Sequence, residues 1–141
     1  MEVIIREAQI HDIPALFKLN NELNGVGLST VESMKESLEN NKNEIIVVAV
    51  CDNKVVGFIC GQLYSSICYA NSKEGEITEL MIDENYRRKK IATMLINRME
   101  FEFTQNNVLE IAVKTGLNNF NAQKLYEKRG YEYKRKGDRE P

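Results

Sequence analysis

Residues 82–96 read I-D-E-N-Y-R-R-K-K-I-A-T-M-L-I: a strand end, a basic turn and a helix start in immediate succession. The first turn of a helix exposes N–H groups that lack intrahelical partners, together with the positive end of the helix dipole. Arg87, Arg88, Lys89 and Lys90 place cationic side chains there, where cations are locally unfavourable. An anion seated in the turn relieves that cost, and phosphate or pyrophosphate is the first candidate. A solvated basic turn and contact with a nucleic-acid backbone are the alternatives. The glycines that a Walker A loop or a dinucleotide-binding fingerprint needs are absent. Glu76 and Glu79 stand on the strand that feeds the turn, where their plain reading is a solvated strand edge; Asp83 is placed to cap the turn.

A second cluster, N-N-F-N-A-Q-K-L-Y-E-K-R-G-Y over 118–131, has the form of a helix with its punctuation. Asn119 is a candidate helix cap, Tyr126 a tyrosine at the core edge, and Gly130, after Lys128-Arg129, a left-handed helix stop. Cys51, Cys60 and Cys68 are odd in number and show no metal-ligand spacing. They read as two buried thiols and one loop thiol in a reducing cytoplasm, with no metal site and no disulfide framework.

The elements that must position these groups follow from periodicity. Met1–Arg6 is a short β-branched strand. Asp12 caps a helix with Pro14 in its first turn and a stripe of Ile13, Leu16, Leu19 and Leu23. Ser29 and Glu32 have capping-box spacing ahead of a second helix over roughly 30–41. Glu44–Cys51 and Lys54–Leu63 are strands joined at Asp52-Asn53, a two-residue hairpin turn. Residues 64–75 are irregular. Glu76–Ile82 is a strand whose alternation slips between Ile77 and Leu80, the mark of a bulge. A helix over about 89–104, a buried strand over 108–113, a helix over about 119–129 and a last strand over 131–136 complete the order β-α-α-β-β-β-α-β-α-β. The arrangement predicted is α+β, with a mixed, mostly antiparallel sheet between two helical layers and a parallel crossover through the third helix.

Composition narrows the function classes. The 141 residues suit one domain, 1–141, and are 43% hydrophobic and 28% charged, which is globular. A net charge of -2 argues against a nucleic-acid-coating role, and no apolar run is long enough for a membrane span.

Taken together, the two clusters resemble the GNAT superfamily of acetyl-CoA-dependent N-acetyltransferases, most strongly from Glu76 to Glu132 and in element order over nearly the whole chain. The family's acyl-CoA loop runs Arg or Gln, two residues, Gly, one residue, Gly or Ala. Arg87 fills the first place and Ala92 the last, while Lys90 stands where the pattern has its first Gly. The surrounding stretch also looks like that of aminoglycoside 3-N-acetyltransferases. The later cluster is similar to the family's Asn-x-x-Ala…Tyr…Gly-Phe/Tyr segment through Asn119, Ala122, Tyr126, Gly130 and Tyr131.

The resemblance implies a GNAT-like fold whose sheet splays between the fourth and fifth strands. It implies direct acetyl transfer from acetyl-CoA to a primary amine. Arg87, Arg88, Lys89, Lys90, Ile91, Ala92 and Thr93 would hold the pyrophosphate, with Lys90 expected to be helical and to donate its N–H. Leu80, Met81 and Ile82 would pair with the pantetheine arm, helped by Asn119 and Ala122. Tyr126 would protonate the departing thiolate. Glu79, then Glu76, would serve as base, directly or through water. The irregular segments 24–29 and 64–75 would rim the acceptor side, with Asn24, Tyr64, Tyr69 and Glu79 as substrate contacts. The acceptor is expected to be a small-molecule amine; a peptide or protein amine, or a non-catalytic acyl-CoA-binding module, is the alternative. The expected setting is cytoplasmic, without nucleic acid or membrane, and the expected assembly is a homodimer, because the last strand, 131–136, would leave a sheet edge bare.

Overall fold

The structure is a computed structural model of the chain and describes residues 2–87, 90–114 and 120–132. Its strands are β1 (Val3–Glu7), β2 (Glu44–Cys51), β3 (Lys54–Tyr64), β4 (Glu74–Ile82) and β5 (Glu110–Val113). Its helices are α1 (Ile13–Asn24), α2 (Val31–Asn40), α3 (Ile91–Gln105) and α4 (Phe120–Lys128). The strands form one sheet in chain order, β1-β2-β3-β4-β5. Every neighbouring pair is antiparallel except β4 and β5, which are parallel across the α3 connection.

Both sheet faces are covered, which explains the unbroken apolar run of β2. Val47 and Ala49 face a core made with Ile91, Leu95, Ile96, Met99 and Phe103 of α3 and Tyr126 of α4. Val48 between them faces Ile13, Leu16 and Leu19 of α1, with Met34 and Leu38 of α2 packed alongside. The three-layer α+β arrangement read from the sequence is the one found. At the β2–β3 hairpin, Asp52 and Asn53 take φ values of 51° and 62°. This left-handed pair is what a type I′ turn requires. Cys51 and Cys60 are buried and Cys68 is exposed, as the sequence indicated.

Several local expectations are corrected. Asp12 precedes α1 but makes no side-chain cap. Its carboxylate instead takes two hydrogen bonds from the Arg6 guanidinium, at 2.7 and 2.9 Å, and one from the Gln9 N–H at 2.8 Å. A bidentate charged partner outcompetes a helix N–H. The capping box of α2 is formed by Thr30 and Ser33, one position later than Ser29 and Glu32. β4 begins at Glu74, so the irregular segment before it is shorter than expected. β5 starts only at Glu110, because the N–H of Val108 is still taken by the Phe103 carbonyl at the end of α3. Tyr131 and Glu132 carry no regular structure, and the rest of the expected last strand, 133–136, lies outside the described residues.

α3 sits unusually close to the sheet because two glycines lie beneath it. A Cβ on Gly75 would stand 2.7 Å from the Phe103 ring, and one on Gly61 2.6 Å from the Met99 sulfur. Phe103 and Met99 are fully buried. Gly75→Ala is therefore expected to destabilise the fold by about 1–3 kcal/mol through overpacking against a stiff ring. Urea denaturation measures this, and a change within about 0.5 kcal/mol would mean that Phe103 repacks freely.

The Arg6–Asp12 pair makes stability depend on acid. Burial pushes the Asp12 carboxyl up, but the Arg6 guanidinium and the Gln9 N–H outweigh it and hold the carboxyl below the usual aspartate value. A lowered folded pKa stabilises above the unfolded pKa, near 4, and that stabilisation disappears as pH falls through the folded value. Asp12→Asn should cost about 1–3 kcal/mol at neutral pH and distinctly less below about pH 3. Denaturation curves at the two pH values test this; an equal cost at both would remove the ionic contribution.

Candidate active site

β4 carries one residue too many against β3. Cys60 pairs with Glu79 and the next residue, Gly61, pairs with Ile77, so Thr78 is the bulged residue. Its hydroxyl donates to the Cys60 carbonyl at 3.3 Å. The bulge inverts the phase of the strand. Ile77 packs into the α3 core, as do Leu80 and Ile82, whereas Met81 packs with α1. Strict alternation would place Glu76 and Glu79 on opposite faces. The extra residue places both on the α1 side.

Contacts bear this out. The Asn24 amide, at the end of α1, donates to Glu79 Oε2 at 3.5 Å and to Asn20 Oδ1 at 2.9 Å. Asn20 in turn donates to Ser29 Oγ at 3.1 Å, tying down the loop between α1 and α2. The Tyr64 hydroxyl donates to Glu76 Oε1 at 2.9 Å, and that carboxylate raises the phenol's pKa. Tyr69 does not join this group by any described contact; its ring lies 5.6 Å from Lys73 Nζ. The loops beside the carboxylates expose Val26, Leu28 and Ile67 to solvent. Cys60, which the sequence reads as a buried thiol, lies directly opposite Glu79 in the sheet, a neighbour that no local signal gives. Burial, with Glu44 and Glu79 nearby, pushes its thiol pKa far up, so it stays protonated and is a poor nucleophile.

The bulge also marks where β4 and β5 part. Their parallel pairing runs from Glu74 and Glu110 to Ile77 and Val113, and the Lys114 N–H closes it on the Ile77 carbonyl at 3.0 Å. β4 then continues through Thr78–Ile82 without a β5 partner. The splay expected between these strands is present, and Leu80, Met81 and Ile82 lie on its open edge.

That open edge leads into the basic turn. Asp83 caps a short 3-10 turn, Glu84–Tyr86, by accepting from the Asn85 N–H at 2.9 Å. Arg87 folds back so that Nε reaches the Ile82 carbonyl at 3.3 Å. Arg88 and Lys89 lie outside the described residues. Lys90 is not helical, contrary to expectation. It is the N-cap of α3 with φ 63° and ψ 14°, in the left-handed region. This geometry explains why glycine is the pattern residue there: a side chain at such a position costs roughly 1–2 kcal/mol. The Lys90 carbonyl accepts from the Met94 N–H at 3.1 Å, starting the helix ladder. The N–H groups of Ile91, Ala92 and Thr93 precede that first bond and point out of the helix end.

Tyr126, on α4, is buried in the same core as Ile77 and Ile91. Burial pushes its hydroxyl pKa up to about 12, with Arg129 acting against the shift and Glu100 adding to it. The phenol therefore carries its proton at neutral pH. Ala122 is partly buried against the same core, and Asn119 lies outside the described residues. Tyr126 thus lies in the core on the α3 side of the sheet, while Glu76 and Glu79 face the opposite side.

Comparison with known proteins agrees with this geometry. Residues 13–131 match the model of the acetyltransferase (GNAT) family. The chain is 32% identical over 133 residues to an N-alpha-acetyltransferase of Saccharolobus solfataricus, covering 88% of this chain and 77% of that protein. In fold it resembles an aminoglycoside acetyltransferase from an uncultured soil metagenomic sample, with a TM-score of 0.81, 21% identity and coverage of 94% and 91%. It is similarly close to a ribosomal-protein-alanine N-acetyltransferase of Brucella melitensis, with a TM-score of 0.80, 16% identity and coverage of 95% and 94%. A bulged β4 that splays from β5, a helix N-terminus at its open end and a match along most of the sequence lead to one assignment: the chain belongs to the GNAT family of acetyltransferases.

Proposed function

We propose that the chain transfers an acetyl group from acetyl-CoA directly to the primary amine of a small molecule. The observation that carries this reading is the coincidence of the β4–β5 opening with the uncapped start of α3. The opening offers backbone groups for an extended pantetheine arm along Leu80, Met81 and Ile82. The free N–H groups of Ile91, Ala92 and Thr93, with the charges of Arg87, Arg88, Lys89 and Lys90, suit a pyrophosphate. Asn119 and Ala122 complete the cofactor contacts in this reading.

The chain's own groups supply the chemistry. Glu79, held by Asn24, takes the proton that the attacking amine must lose, directly or through a water; Glu76, held by Tyr64, is the second candidate. A backbone N–H on the open edge of β4 polarises the thioester carbonyl. As the nitrogen–carbon bond forms and the carbon–sulfur bond breaks, Tyr126 gives its proton to the leaving thiolate. Asn24, Tyr64 and Tyr69 stand on the elements that border the acceptor side. Metal ions and nucleic acid have no part in this scheme.

A second reading, transfer to the α-amine of a peptide or protein, is favoured by the 32% identity to a protein named as an N-alpha-acetyltransferase. A panel of aminoglycosides, polyamines and short peptides with free N-termini, read as thiol released from acetyl-CoA, separates the two. Within the described residues no helix is long and apolar enough to cross a membrane. Three free thiols suit a cytoplasmic setting. The proposed assembly is a homodimer, in which a second copy would cover the edge left by the expected last strand, 131–136.

Tyr126→Phe should lower kcat by about 10²-fold or more while leaving the KM for acetyl-CoA nearly unchanged, since proton donation matters only as the thiolate leaves. An unchanged kcat would remove Tyr126 from the mechanism. Lys90→Gly should stabilise the chain by up to about 1 kcal/mol, the relief of left-handed strain exceeding the entropy that glycine loses on folding. Coenzyme A should still bind this variant, through the N–H groups of Ile91, Ala92 and Thr93 and the remaining charges of the turn. Thermal unfolding with and without coenzyme A reads both effects, and a destabilised variant would show that the Lys90 side chain contributes more than its backbone costs.

A further inference from the structure

α4 ends in a stop that does more than end it. The Tyr126 carbonyl accepts from the Tyr131 N–H at 3.1 Å, and the Glu127 carbonyl from the Gly130 N–H at 3.0 Å. Gly130 has φ 92°. These are the two bonds and the left-handed residue of a Schellman motif, which brings the residue after the glycine back onto the residue that began the last turn. Here those two residues are Tyr131 and Tyr126. Their rings meet edge to face, with centroids 5.5 Å apart and an interplanar angle of 80°.

The far end of the Tyr131 ring is anchored on another helix. Its hydroxyl donates to Glu100 Oε2 at 2.7 Å. The other oxygen of Glu100 takes the Arg129 guanidinium, which also donates to Asn97 Oδ1 at 2.6 Å. Asn97 and Glu100 lie one turn apart on α3, so both ends of the Schellman loop are fastened to one stripe of that helix.

We infer that Glu100 is a positioning residue for Tyr126, acting through Tyr131: it fixes the ring that packs against Tyr126 and so holds the phenol in the core that it shares with Ile91, the first residue of α3. The inference rests on the reading of Tyr126 as the proton donor. It assigns to α3 a second task. The helix whose first turn would seat the pyrophosphate also carries, about two and a half turns later, the anchor for the group that protonates the sulfur. Acid and cofactor seat then belong to one rigid unit, and the distance between them does not depend on the connection between β5 and α4.

The test is a double-mutant cycle on the full chain, with acetyl-CoA and whichever amine of the panel above is turned over fastest. Glu100→Ala is expected to lower kcat by roughly tenfold or more, a misplacement effect, with the KM for acetyl-CoA held within about twofold. Tyr131→Phe, which keeps the ring and loses only the hydroxyl, should show a smaller loss of the same kind and serves where Glu100→Ala does not fold. In the Tyr126→Phe background neither change should lower kcat further, because there is no longer a proton to position. A purely structural role predicts the opposite: losses that multiply in that background, or a KM that rises with the fall in kcat. Either result overturns the positioning role. A large loss with Tyr126→Phe and none with Glu100→Ala or Tyr131→Phe overturns it while leaving the reading of Tyr126 intact. No loss with Tyr126→Phe, or no amine turned over, overturns both.

Discussion

The pairing of β4 with β5 stops at Ile77 and Val113, one residue before the place where β4 takes an extra residue against β3. Nearly every functional feature follows from that coincidence. A strand bulged on one side twists more sharply and turns away from its other neighbour. Thr78 is the residue left over. Beyond it the strand keeps its backbone polar groups toward a space that no described strand fills, and such groups must find partners elsewhere, in water or in a ligand. The phase inversion at the same residue carries Glu79 to the face where Asn24 waits. Without it Glu79 would point into the apolar core beneath α3, where an ionised carboxylate has no place.

The second constraint is the closeness of α3 to the sheet. Gly61 and Gly75 lack the side chains that would otherwise hold Phe103 and Met99 away. The helix is thereby fixed against β3 and β4 at the end where the two parallel strands are still paired. From that anchor it runs toward the open end of the sheet and presents its N-terminus there. Glu100 and Asn97, on the same helix, receive Arg129 and Tyr131 from the end of α4. α3 thus connects the paired region of the sheet, the basic turn and the buried Tyr126 in one packed body.

The cost of this arrangement is concentrated at Lys90. Where α3 begins, Lys90 takes a left-handed conformation as the helix N-cap. Glycine would occupy that position without strain. A lysine there adds a charge to a turn already rich in cations. Left-handed strain at a non-glycine residue is a place where local preference yields to the demands of the surrounding structure.

Much of this protein could be read from residue order alone. The apolar stripe Ile13, Leu16, Leu19, the β-branched run Glu44–Cys51, the hairpin at Asp52-Asn53 and the stop at Gly130 are local signals. Periodicity and turn stereochemistry act within a few residues, so the sequence states them directly. The slip between Ile77 and Leu80 foretold the bulge for the same reason. Other features were decided only by the fold. Asp12 reads as a cap, but Arg6, from the neighbouring strand, claims its carboxylate with stronger, charged hydrogen bonds. Lys90 reads as helical, yet it stands as the left-handed N-cap of α3. Cys60 opposite Glu79, the approach of Asn24 to Glu79, and the clasp of Tyr131 by Glu100 join residues distant in sequence. Their distances are set by how the layers pack, and packing is a property of the whole chain that no local window contains.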